Sequence, residues 1–285
     1  MNADKKVWLI TGSSSGFGRA LAEAVLQHGD YLVATARKPE QLNDLVEQYP
    51  ETVKAVRLDV TEPQSIQDAL KSAIDTFDRI DVLVNNAGYG LLGGIEEVSN
   101  TELRNQFETN FFGALNVIQA ILPQLRQQRS GHILNVSSVG GFRGFPGFGI
   151  YNGTKFALEG ISEALALEVA PLGIKVTIVE PGSFRTDWAG RSMVRAENKI
   201  DDYAETSGET RSWIDEENGI QAGDPAKAAS AMIKAVYSEN PPQRLVLGAD
   251  ALELIRQKID SVTQELDKWE QTTVDTAYAD SVAAS

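Results

Sequence analysis

A single-domain, doubly wound α/β fold on a seven-stranded parallel sheet is what this 285-residue sequence predicts, and three observations predict it. Short apolar, β-rich runs recur at 7–11, 31–36, 53–58, 81–84, 131–137, 175–179 and 244–247. They are apolar on both faces, as strands covered by helices on both sides must be. Between them, apolar residues recur at three and four, as at Leu21, Val25 and Leu26 or at Leu158, Ile161, Leu165 and Val169, which is helical spacing. Strand, helix, strand in that rhythm implies right-handed crossovers between parallel neighbours. The first strand also runs directly into a glycine-rich turn and then a helix.

Composition narrows the function. With 42% hydrophobic and 23% charged residues the chain is an ordinary globular protein, and no stretch approaches the roughly 18 apolar residues of a membrane span. The opening residues show no signal-peptide pattern, so a cytoplasmic protein is expected. Cysteine is absent and only His28 and His132 supply imidazole, which removes disulfides, thiolate metal sites and cysteine nucleophiles. No metal site is expected. The net charge of −14 opposes attraction to nucleic acid or anionic membrane, so an anionic ligand needs a local arrangement of donors.

Taken in order, the strand ends carry that arrangement. After the first strand, Gly12, Ser13, Ser15, Gly16, Phe17 and Gly18 form a turn opening on a helix at 19–27, where unpaired amides and the helix dipole suit a pyrophosphate. The second strand ends in Ala36 and Arg37, with no acidic side chain to hold a ribose 2′-hydroxyl; arginine instead matches a 2′-phosphate, and Ser13 could add a hydroxyl. Asp59 and Val60 follow the third strand, where Asp59 serves equally well as a turn cap before Thr61. Asn85, Asn86, Ala87 and Gly88 close the fourth. A long helix is expected over 101–129, with Asn110 as a polar interior residue.

The fifth strand ends in Ser137 and Ser138, which point to opposite sides of an extended segment, so one of them faces the site. Four residues apart, Tyr151 and Lys155 share a helix face, and a neighbouring ammonium lowers the phenol's pKa of about 10 toward useful proton transfer. The sixth strand ends at Pro181 and Gly182, before Thr186. Residues 183–223 show no convincing strand and read as an insertion of short helices and loop, with 188–220 a candidate lid. Beyond the last strand, a helix is expected over 251–269, and 270–285 reads as a flexible tail, leaving 1–269 as the domain.

These motifs in this order resemble the classical short-chain dehydrogenase/reductase family, over about residues 5–248, with a finer likeness to the 17β-hydroxysteroid and retinol dehydrogenase branch. The resemblance implies a Rossmann fold and a nicotinamide cofactor along Gly12, Ser13, Ser15, Gly16, Phe17, Gly18, Arg37, Asp59, Val60, Asn86, Ala87, Gly88, Pro181, Gly182 and Thr186. It implies Asn110, Ser138, Tyr151 and Lys155 as the catalytic set. Within that set Ser138 is the serine facing the site, Asn110 kinks its helix and holds a water, and Lys155 also binds the nicotinamide ribose. With Arg37, the cofactor expected is NADP(H).

Phe142, Phe145 and Phe148 after Ser138, with Trp188 in the insertion, predict a hydrophobic carbonyl or alcohol substrate. The rival readings are a non-catalytic NADP(H)-binding regulator, an NAD-dependent alcohol dehydrogenase and a nucleotide-sugar epimerase or dehydratase. Pairing through the helices at 101–129 and 155–170 would give a homodimer or homotetramer.

Overall fold

The computed structural model describes residues 5–278. Its elements run β1 (Val7–Ile10), α1 (Gly16–Gln27), β2 (Tyr31–Ala36), α2 (Asn43–Gln48), β3 (Val53–Arg57), α3 (Pro63–Phe77), β4 (Val82–Asn85), β5 (Gly90–Leu92), α4 (Asn100–Phe107) and α5 (Ala114–Gln128). Then follow β6 (Gly131–Val136), α6 (Gly149–Val169), β7 (Ile174–Pro181), β8 (Met193–Arg195), α7 (Glu209–Glu217), α8 (Pro225–Val236), β9 (Arg244–Leu247) and α9 (Ala249–Val274). Seven strands form one parallel sheet in the order β3-β2-β1-β4-β6-β7-β9. The order reverses between β1 and β4, and a crevice outside the strand carboxyl ends at such a reversal is where ligands bind in this architecture.

Alternation along β1 shows how the sheet gains two cores. Trp8 and Ile10 pack with Leu21, Val25 and Met232 on the side of α1 and α8. Val7 and Leu9 pack with Leu70, Ile118, Ile121 and Leu165 on the side of α3, α5 and α6. A buried polar chain ties the inner strands to α6: Asn85 donates from Nδ2 to Asn135 Oδ1 at 2.9 Å, and Asn135 donates from Nδ2 to Ser162 Oγ at 2.8 Å. It fixes α6 against β4 and β6 from within the core.

Three expectations need correction. The helix over 101–129 is broken into α4 and α5 by a π-helical turn at Glu108–Gly113, which contains Asn110. Residues 183–223 do contain a strand: β8 pairs in parallel with β5, Gly90 opposite Met193 and Leu92 opposite Arg195. The last helix runs to Val274, so 270–274 are helical rather than tail; 279–285 lie outside the described residues. Among the described residues no helix is long and apolar enough to cross a membrane.

Candidate active site

The glycine turn is held in shape from both sides. Gly12 and Gly16 have φ of +71° and +56°, conformations that favour glycine. A Cβ on Gly18 would collide with the Gly12 carbonyl oxygen and the Asn86 amide. Asn86 fixes the turn from β4, donating from Nδ2 to Thr11 O at 2.9 Å and Gly12 O at 3.1 Å. Its own backbone N–H and that of Ala87 donate to Thr11 Oγ1. α1 then begins after an extended Ser15 with no side-chain cap. By contrast α4 is closed by a capping box of Ser99 and Glu102, and α8 by Asp224. The uncapped α1 leaves first-turn amides free for an anion.

Around this turn the expected cofactor residues take different parts. Ser13 is buried and its hydroxyl donates to Ile10 O at 2.9 Å while accepting from Thr35 N at 3.3 Å. That corrects the expectation of a hydroxyl for a 2′-phosphate: the side chain is committed to β1 and β2. Arg37 is exposed and, among the described residues, has no ion pair, whereas nearby Arg19 is bound by Glu23 and Asp44. Asp59 accepts from Thr61 N at 3.0 Å and Thr61 Oγ1 at 2.7 Å, the turn cap that was one of its two readings. Val60 is buried where a Cβ on Gly113 would meet it. Gly88 lies against Asn110, at 3.1 Å from a notional Cβ to Oδ1. Gly182 donates from N to Leu247 O at 2.9 Å, closing the end of β7 after Pro181. Thr186 arches back to the turn, its Cβ 3.7 Å from where a Gly16 Cβ would stand, and the Phe17 and Phe184 rings meet at 5.0 Å.

The four residues of the expected catalytic set converge at the strand ends. Tyr151 and Lys155 stand one turn apart on α6, both buried, with the ammonium 5.8 Å from the tyrosine ring centre. Lys155 donates from Nζ to Val136 O at 2.8 Å, the last residue of β6. Ser138 accepts from Gly140 N at 3.0 Å, and both its hydroxyl and the Tyr151 ring border Gly140 at 3.3 Å from a notional Cβ. Ser137 points the other way, buried beside Gly141 and Glu159. Asn110 accepts from Tyr89 N at 3.0 Å and donates from Nδ2 to Tyr89 O at 2.8 Å, so the π turn fastens the segment after β4.

Burial dominates the electrostatics. It pushes the Tyr151 phenol up to about 12, with Ser138 pulling back down, and lowers the Lys155 ammonium to about 8, with Glu159 opposing. In the protein alone burial sets the direction for Tyr151, and the opposing pull comes from Ser138 rather than from the expected Lys155. The consequence is a neutral phenol beside a titratable lysine at neutral pH.

The aromatic residues separate. Trp188 packs on Tyr151 at 5.5 Å and on Phe148 at 5.7 Å between ring centres, and Phe145 joins the same cluster. Phe142 does not: it stacks under the Arg244 guanidinium at 5.3 Å, facing β9 rather than Tyr151, because Arg244 is drawn there by Glu159, Glu163 and Glu180. Sequence reasoning missed Glu97 and Arg211. Glu97 is fully buried and paired with Arg211 on α7, and it also accepts from Gly94 N and from Ile200 N at 2.9 Å. Burial pushes its carboxyl up, but these partners together hold it at about 2. Separated by 114 residues, the pair leaves no local signal.

A glycine turn opening on an uncapped helix, with a buried tyrosine and lysine one helical turn apart at the end of the sheet, defines a doubly wound, Rossmann-like α/β protein. Relatives narrow that class. Residues 6–196 match the family model described as short chain dehydrogenase, and the chain belongs to that family. It is 42% identical over 273 residues to the oxidoreductase BOA17 of Botryotinia fuckeliana, covering 95% of this chain and 99% of the relative. It is 40% identical to the 3-ketodihydrosphingosine reductase of Bacteroides thetaiotaomicron, covering 85% and 88%. A short-chain dehydrogenase structure from Streptomyces avermitilis superposes with a TM-score of 0.91 at 46% identity, covering 96% of this chain and all of the other. The structure of ElxO with NADP bound superposes at 0.72 with 27% identity, covering 87% and 99%.

Proposed function

We propose that this oxidoreductase is an NADP(H)-dependent reductase of hydrophobic ketones or aldehydes, with the reverse oxidation of the secondary alcohol open to it, and with Tyr151 as the proton donor. The observation that carries the reading is the group of half-buried Ser138 with buried Tyr151 and Lys155, where β6 ends and α6 begins. The residues present fit a nicotinamide dinucleotide. Uncapped α1 amides would receive the pyrophosphate, Gly18 permits close backbone approach, and the free Arg37 would take a 2′-phosphate. When bound, that cofactor supplies the hydride in reduction and accepts it in oxidation.

The chain's own residues do the rest. Ser138 Oγ holds the substrate oxygen by hydrogen bonding, and Tyr151 Oη releases its proton to that oxygen as charge develops there. The ammonium of Lys155 stabilises the phenolate left behind. Trp188, Phe148 and Phe145 exclude water and offer apolar contact, which supports a hydrocarbon-rich substrate, as does the likeness to a long-chain ketone reductase. The test is to follow absorbance of the reduced cofactor with a panel of long-chain ketones and with Tyr151→Phe. Turnover should fall by at least about 100-fold in the variant with the melting temperature preserved. Near-normal turnover in Tyr151→Phe, or no turnover with any ketone or aldehyde, would remove the assignment.

A further inference from the structure

The end of α9 leaves the body of the molecule carrying an apolar seam. Ala251 and Ile255 are buried against the body, Leu254 and Lys258 are half-buried, and from Ile259 to Val274 every residue is exposed. That bare stretch is not polar all round. Ile259, Val262, Leu266 and Trp269 continue Leu252 and Ile255 at alternating steps of three and four, and they are 49%, 37%, 62% and 57% exposed. A 3.5-residue repeat puts them on one line along the helix, the seam of a two-stranded coiled coil. A projecting helix of this length is marginal on its own, so its apolar line calls for a partner.

We propose that the partner is α9 of a second copy of this chain, paired antiparallel. Charge along the seam selects both occupant and direction. Arg256 and Glu270 lie on one flank of the seam, and Lys258 and Glu265 on the other, so each flank is positive near the body and negative near the tip. At the register the seam sets, an antiparallel copy places Arg256 of each helix against Glu270 of the other, two attractive contacts against a single approach of Glu265 to its counterpart. A parallel copy would instead set Glu265 of one helix against Glu270 of the other, on both sides. The exposed seam from 259 to 269 has its midpoint at 264, which layers Ile259 on Trp269 of the second copy and Val262 on Leu266. A chain of net charge −14 needs such local matching to self-associate, and the same charge opposes an anionic bilayer as the occupant.

Sedimentation of the full chain tests the assignment. Leu266→Glu should halve the mass of the assembly with turnover unchanged, because α9 beyond Lys258 is exposed throughout and away from the site residues. Glu270→Lys should weaken association at least 10-fold, and adding Arg256→Glu should restore it. Because the chain has no cysteine, mixing Ile259→Cys with Trp269→Cys should give an oxidised heterodimer, while Trp269→Cys alone should give none. An unchanged mass for Leu266→Glu, a covalent dimer from Trp269→Cys alone, failure of Arg256→Glu to rescue Glu270→Lys, or binding of the helix to neutral phosphatidylcholine vesicles in place of self-association would overturn it.

Discussion

The glycine turn and the insertion after β7 sit at the same end of the sheet, and they treat polar groups in opposite ways. At the turn, α1 starts without a cap and Arg37 stands unpaired among the described residues. In the insertion the arginines are held: Arg211 by buried Glu97, Arg195 by Asp215, Arg191 by Asp187 and Arg185 by the Gln221 carbonyl. Polar groups left open in a folded chain retain free energy for a ligand, whereas matched ones hold the chain to itself. The contrast separates a surface left open to a ligand from a segment whose arginines are tied within the chain.

Gly18→Ala attacks the binding side most directly. The new Cβ has to displace the Gly12 carbonyl or the Asn86 amide, so dinucleotide affinity measured by fluorescence should fall by about 100-fold or more, roughly 3 kcal/mol, with the insertion's protease resistance intact. Arg211→Met attacks the other side. It leaves Glu97 buried without its cation, at a cost of about 3 kcal/mol, and should lower the melting temperature and expose 188–220 to protease while dinucleotide affinity survives. Unchanged digestion would mean that the pair does not anchor the insertion.

Smaller effects sharpen the same division. Arg37→Asp should reverse the ratio of kcat/KM for NADPH and NADH by about 10-fold or more, since a carboxylate repels a 2′-phosphate and accepts a 2′-hydroxyl. A wild-type enzyme that already prefers NADH would show Arg37 to be a solvated charge. Lys155, lowered to about 8 by burial, keeps its charge below that pH and loses it as pH rises. Carbonyl reduction should therefore lose kcat/KM above about pH 8, and a flat profile to pH 9.5 would remove Lys155 from the proton-transfer step.

The same division explains what could be read from sequence. The sheet strands are legible because each is a short apolar run between turn residues, and Tyr151 and Lys155 are legible because helical spacing puts them on one face within the ordered motifs of the family resemblance. The β5–β8 pair was not: Gly90–Leu92 and Met193–Arg195 are three residues each, too short for a period, and they meet only through tertiary folding. The apolar pattern over 101–129 reads as one continuous helix and carries no mark of the π turn; only the family resemblance implies a kink at Asn110. Ser13 was misjudged as a free donor because its partners, Ile10 O and Thr35 N, are fixed by the β1–β2 pairing. Phe142 was misplaced because the acidic residues that draw Arg244 beneath it are spread over α6 and β7.

The hold of Asn86 on Thr11 and Gly12 also says something about time. The contact spans 75 and 74 residues of chain, so the shape of the glycine turn is not available to β1 and α1 alone. It waits on the docking of β4 beside β1, a long-range closure that ranks among the slower steps of building a parallel sheet. During refolding, dinucleotide capture should lag the recovery of helical circular dichroism and coincide with protection of the β1 and β4 amides. Nucleotide fluorescence thus becomes a clock for assembly of the centre of the sheet.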